Sequence, residues 1–161
     1  MTRAEYNRSV DDISDGLFRF LYKACRSREM AQDIVQDSFL KLWEMLSTIE
    51  KSKAKSFLYT TAYRRMIDLL RREHKYGDIE EIGNRFSVEY SNSPDLQEIL
   101  ESALAKLPTI QKTVVLLRDY ESYSYQEIAE ITGLNETQVK VYIFRARAYM
   151  KDFIRRPDLV I

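Results

Sequence analysis

Apolar positions in the first part of the chain recur at helical spacing and show no strand-like alternation. From Ser9 to Cys25, the residues Val10, Ile13, Leu17, Leu21 and Ala24 fall three or four positions apart, which predicts a helix. The pattern breaks at Arg26–Ser27, and Ser27 can cap a second helix that carries Glu29 in its first turn. That segment, SREMAQDIVQDSFLKLWEML, places Ile34, Val35, Phe39, Leu42, Trp43 and Leu46 on one wide face predicted to be buried. A third helical pattern runs from Lys53 to Lys75, with Phe57, Leu58, Thr61, Ala62, Leu69 and Leu70 as its predicted inner side.

The period then stops. HKYGDIEEIGNRFSVEYSNSP holds half of the four glycines, several carboxylates and no sustained apolar repeat, so residues 76–93 read as an acidic, flexible connector. Ser93–Pro94 restarts helix, with serine as the predicted N-cap and proline at the first helical position. DLQEILESALAKL and TIQKTVVLLRDYE supply two helices, and Arg155-Arg156-Pro157 closes the last one. Between them, YSYQEIAEITGLNETQVKVYIFRAR (Tyr123–Arg147) writes two helix starts in a row. Ser124 precedes Glu127 by three residues and Asn135 precedes Gln138 by three, each the spacing of a capping box. Tyr123 with Ile128 and Leu134 with Val139 stand at hydrophobic-staple positions, and Gly133 lies where a left-handed helix end favours glycine. The predicted fold is all-α, with two small helical domains (1–75 and 94–161) and a helix-turn-helix in the second.

Few glycines and prolines agree with helix almost throughout. Formal net charge is zero, so any nucleic-acid site must come from uneven distribution of charge. One cysteine excludes an internal disulfide, and Cys25 sits among apolar neighbours as core filler. The N-terminus shows no secretory pattern, and no stretch approaches the ~18 apolar residues of a membrane span. A soluble, cytoplasmic protein is the expectation. His74 is the only histidine and has no nucleophile at a recognisable spacing; with neither phosphate loop nor metal cluster, no enzyme activity, cofactor or metal is expected.

Charge is uneven where it counts. From Glu136 to Arg156 the cations Lys140, Arg145, Arg147, Lys151, Arg155 and Arg156 face only Glu136 and Asp152. Val139, Ile143, Ala146 and Met150 form the inward stripe, leaving Lys140, Val141, Phe144, Arg145 and Ala148 sideways or outward. A basic helix after a capped turn suits major-groove recognition, each neutralised phosphate adding a salt slope of roughly −0.9. An ordinary solvated surface helix is the plain alternative. In the second helix Asp33, Gln36, Asp37, Leu40 and Glu44 line a face away from the core, either a protein contact surface or a solvated face with one stray leucine. In the third, Tyr59 and Tyr63 lie beside Arg64, Arg65, Arg71, Arg72 and Lys75. These are rings and charges for single-stranded nucleic acid, or else core tyrosines with a basic flank.

Three ordered segments, DIVQDSFLKLW (Asp33–Trp43), FLYTTAYRRMIDLLRRE (Phe57–Glu73) and Leu107–Arg147, resemble regions 2 and 4 of the extracytoplasmic-function (ECF) sigma factors. The resemblance implies a factor that binds core RNA polymerase, through the β′ clamp and β flap, and directs promoter-specific initiation without cofactor or catalysis. It implies clamp contacts at Asp33, Gln36, Asp37 and Leu40. Opening and reading of the −10 element would fall to the third helix and the loop before it (Ser47–Ser56), through Lys55, Tyr59, Tyr63, Arg64, Arg71 and Arg72. Reading of the −35 element would fall to Glu136, Gln138, Lys140, Val141, Phe144, Arg145 and Arg147. It further implies an anti-sigma factor as a restraining partner, and a connector threading toward the RNA exit channel. The chain departs from the family at Val141 and Tyr142, where many members have a small hydroxyl residue and then arginine. It departs again at Thr60, Tyr63 and Arg64, where basic residues or asparagine are common. A stand-alone helix-turn-helix repressor would explain the second lobe but leave DIVQDSFLKLW and the Tyr/Arg helix without a purpose; a non-initiating paralogue acting as decoy is the other alternative.

Overall fold

Thr2 and Glu5 form a capping box that starts the first helix well before Ser9, so α1 runs Arg3–Cys25. The computed structural model describes residues 1–76 and 95–155, and every regular element among them is helical. Arg26, in the left-handed conformation at φ 59°, ends α1. Ser27 then caps α2 (Arg28–Glu44), its hydroxyl accepting from the Met30 N–H at 3.1 Å. A short 3₁₀ turn at Lys51–Lys53 leads into α3 (Ala54–Tyr76).

Leu17, Phe20, Leu21, Ile34, Leu42, Leu58, Ala62 and Met66 are fully buried where α1, α2 and α3 meet. Two sequence expectations are corrected here. Trp43 is 42% exposed: Leu42 takes the inward position, and the next residue lies about 100° around the helix. Its ring stands edge-on to Tyr6 at 5.1 Å, with the Arg3 guanidinium 5.7 Å from its centre. The inner side of α3 is Leu58, Tyr59, Ala62, Tyr63 and Met66, while Phe57, Thr61, Leu69 and Leu70 are half-buried. Turning the tyrosines inward buries two large rings that the predicted face left outside, and large rings dominate burial energetics.

In the second lobe, α4 (Leu96–Lys106) starts from Asp95, whose carboxylate accepts from the Glu98 N–H at 2.8 Å. Asp95 therefore replaces Ser93 as the cap; Ser93 and Pro94, like the expected connector beyond Tyr76, lie outside the described residues. α5 (Thr109–Val115) continues into a π-helical turn, Leu116–Tyr120, closed by the Glu121 N–H on the Leu116 carbonyl at 3.1 Å. α6 (Tyr125–Thr132) and α7 (Glu136–Ile154) follow, and both predicted capping boxes form. The Ser124 and Asn135 side chains accept from the Glu127 and Gln138 N–H groups at 3.1 and 2.8 Å, and both later side chains reach back. Gly133 turns the chain at φ 78°, a conformation costly for side chains with a Cβ, and donates to the Ala129 carbonyl at 2.9 Å. Ser124→Ala should lower stability by about 1 kcal/mol, read as a lower thermal midpoint with helical content retained below it. An unchanged midpoint would show that the box contributes nothing.

The lobes pack on each other through one apolar cluster that includes Leu17, Phe20 and Tyr59 from the first and Leu107, Leu116 and Tyr123 from the second. Tyr59 sits between Phe20 and Tyr123, with ring centres 5.5 and 5.2 Å away. Gly16 permits this approach, since a Cβ there would lie 3.3 Å from the Tyr59 hydroxyl. Two polar contacts flank the cluster. Arg19 donates to both oxygens of Glu121 at 3.3 and 3.2 Å, and the buried Lys112 ammonium donates to the Ala24 carbonyl at 3.2 Å. Ala24 lies in the last turn of α1, where unpaired carbonyls and the helix dipole favour a cation.

Candidate nucleic-acid and polymerase interfaces

The buried stripe of α7 is Val139, Ile143, Ala146 and Phe153, with Met150 half-buried, so the predicted inward face is the observed one. It packs against α5, α6 and α4. Outside that stripe Glu136, Gln138, Lys140, Val141, Phe144, Arg145 and Arg147 are all exposed, Phe144 by 74%. The structure thus brings all seven sequence-predicted residues onto the accessible part of one helix.

Their surroundings add residues that spacing alone did not reveal. The Arg118 guanidinium and the Lys140 ammonium lie over the Tyr125 ring, 4.5 and 5.4 Å from its centre, and the ring is the group that steadies Lys140. Arg118 also donates to the Tyr123 carbonyl at 2.9 Å, tying the π-helical turn to the start of α6. Arg147 is engaged bidentately by Asp119, which lifts its pKa chiefly through the hydrogen bonds. A guanidinium held this way is partly neutralised, so Lys140, Arg145 and Lys151 are the freer cations of α7.

On the first lobe Asp33, Gln36, Asp37 and Leu40 are exposed on α2, Leu40 by 56%. Arg65 of α3 lies 3.7 Å from Asp37 at the edge of that stripe. Beside it Tyr6, Val10, Val35, Phe39, Leu40 and Trp43 line an open groove of about 390 Å³ between α1 and α2. Trp43, expected in the core, therefore belongs to the same surface as Leu40.

The −10 set is divided. Lys55, Arg64, Arg71 and Arg72 are exposed, whereas Tyr59 and Tyr63 are 1% and 8% exposed. Of the two readings open for these tyrosines, the core position is the one occupied, and with the lobes packed no base can stack on Tyr59. Burial raises the pKa of both phenols, well above the usual range for Tyr59. Lys55 lies 5.1 Å from the centre of the Tyr123 ring of the second lobe and remains exposed. Cys25 is buried, and burial pushes its thiol up, away from nucleophilic use. Among the described residues no group of His, Cys, Asp and Glu is placed to hold a metal ion, and no helix is long and apolar enough to cross a membrane.

A capped turn, a basic recognition helix and a separate acid–leucine stripe on a second helical lobe define a DNA-binding transcription protein. Comparison with known proteins narrows this. Residues 10–76 match the family model for Sigma-70 region 2, and residues 97–150 match that for Sigma-70, region 4. RNA polymerase sigma factor SigV of Bacillus subtilis is 30% identical over 159 residues, covering 98% of this chain and 96% of its own. ECF RNA polymerase sigma factor SigM of the same organism is 25% identical over 157 residues, covering 92% and 96%. Among solved structures, the sigma factor RpoE in complex with the anti-sigma factor NepR from Bartonella quintana aligns with a TM-score of 0.76 at 20% identity, over 94% of this chain and 98% of that one. CnrH in complex with the cytosolic domain of CnrY aligns at 0.68 and 21% identity, over 92% and 86%. The chain belongs to the RNA polymerase sigma factors of the ECF group, built from regions 2 and 4. As a sigma factor it directs promoter-specific initiation of transcription by RNA polymerase.

Proposed function

We propose that the work is divided by lobe and by face. The α2 stripe of Asp33, Gln36, Asp37 and Leu40 docks on the polymerase clamp, with Trp43 extending it into the α1/α2 groove. α3 and the turn before it open and read the −10 element, with Lys55, Arg64, Arg71 and Arg72 on the DNA backbone. Tyr59 reaches a base only after the second lobe moves off, and Tyr63 only after its own burial is relieved. α7 reads the −35 element through Lys140, Val141, Phe144 and Arg145, and Glu136 and Gln138 lie at its entry into the groove. The protein acts in the cytoplasm without catalysing a reaction. An anti-sigma factor restrains it, a reading supported by the two solved relatives, each a sigma factor or its fold bound to such a partner or a cytosolic domain.

One observation carries the −35 assignment: Lys140, Arg145 and Lys151 are exposed on α7 beside its outermost line, while Val139, Ile143 and Ala146 are buried against the rest of the lobe. Run-off transcription with purified core polymerase on a genome-wide promoter pool is the direct test, and transcripts should depend on this protein. Polymerase binding without any dependent transcript would overturn the initiation role. Within that assay Lys140→Ala and Arg145→Ala should each weaken −35-dependent promoter binding by about 1–3 kcal/mol with the fold unchanged, since both side chains are exposed. If neither alters promoter choice, recognition lies on another face.

A further inference from the structure

The most outward line of α7 is not its charged one. Thr137, Val141, Phe144 and Ala148 follow one another at steps of four, three and four residues, which places them on one line opposite the buried Val139, Ile143 and Ala146. All four are exposed, with Val141 at 41% and Phe144 at 74%. Lys140 and Lys151 rim this line on one side, and Arg145, with Asp152 two turns further on, on the other. A solvated helix keeps charge at its outermost line and apolar residues within. Here the outermost line carries methyl, isopropyl, benzyl and hydroxyethyl groups and no charge.

Resting on the −35 reading above, we infer that Val141 and Phe144 read the C5-methyl groups of thymines in the −35 element. In the major groove only thymine offers an apolar group at the base edge, and small apolar or aromatic side chains are its partners. The flanking cations fit the phosphates on either side of that groove. Three residues at ~1.5 Å rise separate Val141 from Phe144 by ~4.5 Å along the helix axis. One base-pair step is ~3.4 Å, so the two side chains meet neighbouring base pairs. Val141 stands where many family members have a hydroxyl; the change from a polar to an apolar contact moves the preference toward thymine. Tyr125 serves as a positioning residue, because its ring holds Lys140 at the edge of the same line.

The test uses the full chain assembled with core polymerase and a duplex library randomised across the −35 region. The selected duplex is then resynthesised with deoxyuridine in place of each thymidine, which removes the methyl and leaves every hydrogen-bonding group in place. Binding should weaken about four-fold for each of the two methyls read, the effect of one buried CH₂-sized group. Val141→Ser should abolish the thymidine-over-deoxyuridine preference at one of those positions and Phe144→Gln at its neighbour. Uniform tolerance of deoxyuridine, with a −35 sequence still selected, would overturn the methyl reading, leave the −35 role intact, and reassign the apolar line to a protein partner. Persistence of the preference in the Val141→Ser, Phe144→Gln double variant would also overturn it, because another residue would then read the methyls. Selection of no −35 sequence at all would remove the −35 reading itself, and this inference with it.

Discussion

Glu121→Arg should separate the two lobes. The Glu121 side chain is 7% exposed and accepts both hydrogen bonds from Arg19, and the Tyr59 hydroxyl faces the same carboxylate. Arginine at this position would confront Arg19 with a like charge and leave it without its acceptor. Breaking a buried pair from one side costs about 3–5 kcal/mol. Arg19 is half-exposed, so water recovers part of that and about 1–3 kcal/mol is expected here. A compact chain of this length has a radius of gyration of roughly 15 Å. Small-angle scattering should show a rise of several ångströms in the variant, with far-ultraviolet circular dichroism unchanged because no helix is interrupted. The same variant should expose Tyr59, so on the proposed −10 reading its promoter opening with core polymerase should need no prior lobe separation. An unchanged scattering curve would mean that the apolar cluster alone sets the arrangement.

Raising the pH from 8 toward 10 should tighten lobe packing, and Lys112→Met should remove that dependence. Burial, reinforced by the nearby Arg26 cation, brings the Lys112 pKa down to about 8 from the ordinary lysine value near 10.5. The packed state therefore binds fewer protons than the separated one between these two values, so packing gains stability as pH rises through that window. Below pH 8 the ammonium is charged in both states and its desolvation opposes packing in full. The difference amounts to about 3 kcal/mol at the upper end of the window. Above pH 10 the sign reverses, because the buried Tyr59 and Tyr123 phenols have raised pKa values and favour the neutral, packed form less as free phenols ionise. Fluorescence transfer between dyes on the two lobes, followed from pH 7.5 to 10.5, should rise and then fall. In Lys112→Met only the fall should remain. A rise that persists in the variant would assign the effect to another group.

Local chemistry was legible in the sequence wherever a few neighbouring residues decide the outcome. The caps at Ser27, Ser124 and Asn135, the left-handed Gly133 and the inward stripe of α7 all depend on spacings of a few residues, and all are present. The Thr2–Glu5 box was equally local, but no apolar run stands at the start of α1 to draw attention to it. Long-range choices were not legible. Nothing in YTTAYRRM distinguishes a tyrosine waiting for a base from one covered by Tyr123, because the covering residue comes from the other lobe. Lys112 in a helix reads as a surface lysine until the C-terminal turn of α1 is brought against it. Arg147 likewise reads as a free phosphate contact, yet Asp119 holds it.

That last contact depends on the π-helical turn at Leu116–Tyr120. A π turn accommodates one more residue than the α-helix it interrupts. Shortening this segment by one residue would convert the π turn to α geometry and shift Arg118 and Asp119 within it. Asp119 would then leave Arg147, and Arg118 would leave the carbonyl of Tyr123 and the ring of Tyr125. A single-codon deletion here would preserve every side chain of the reading helix and still unmoor it. On the proposed −35 reading, promoter choice would depend partly on the number of residues in the π-helical turn, a parameter that no substitution on α7 can adjust.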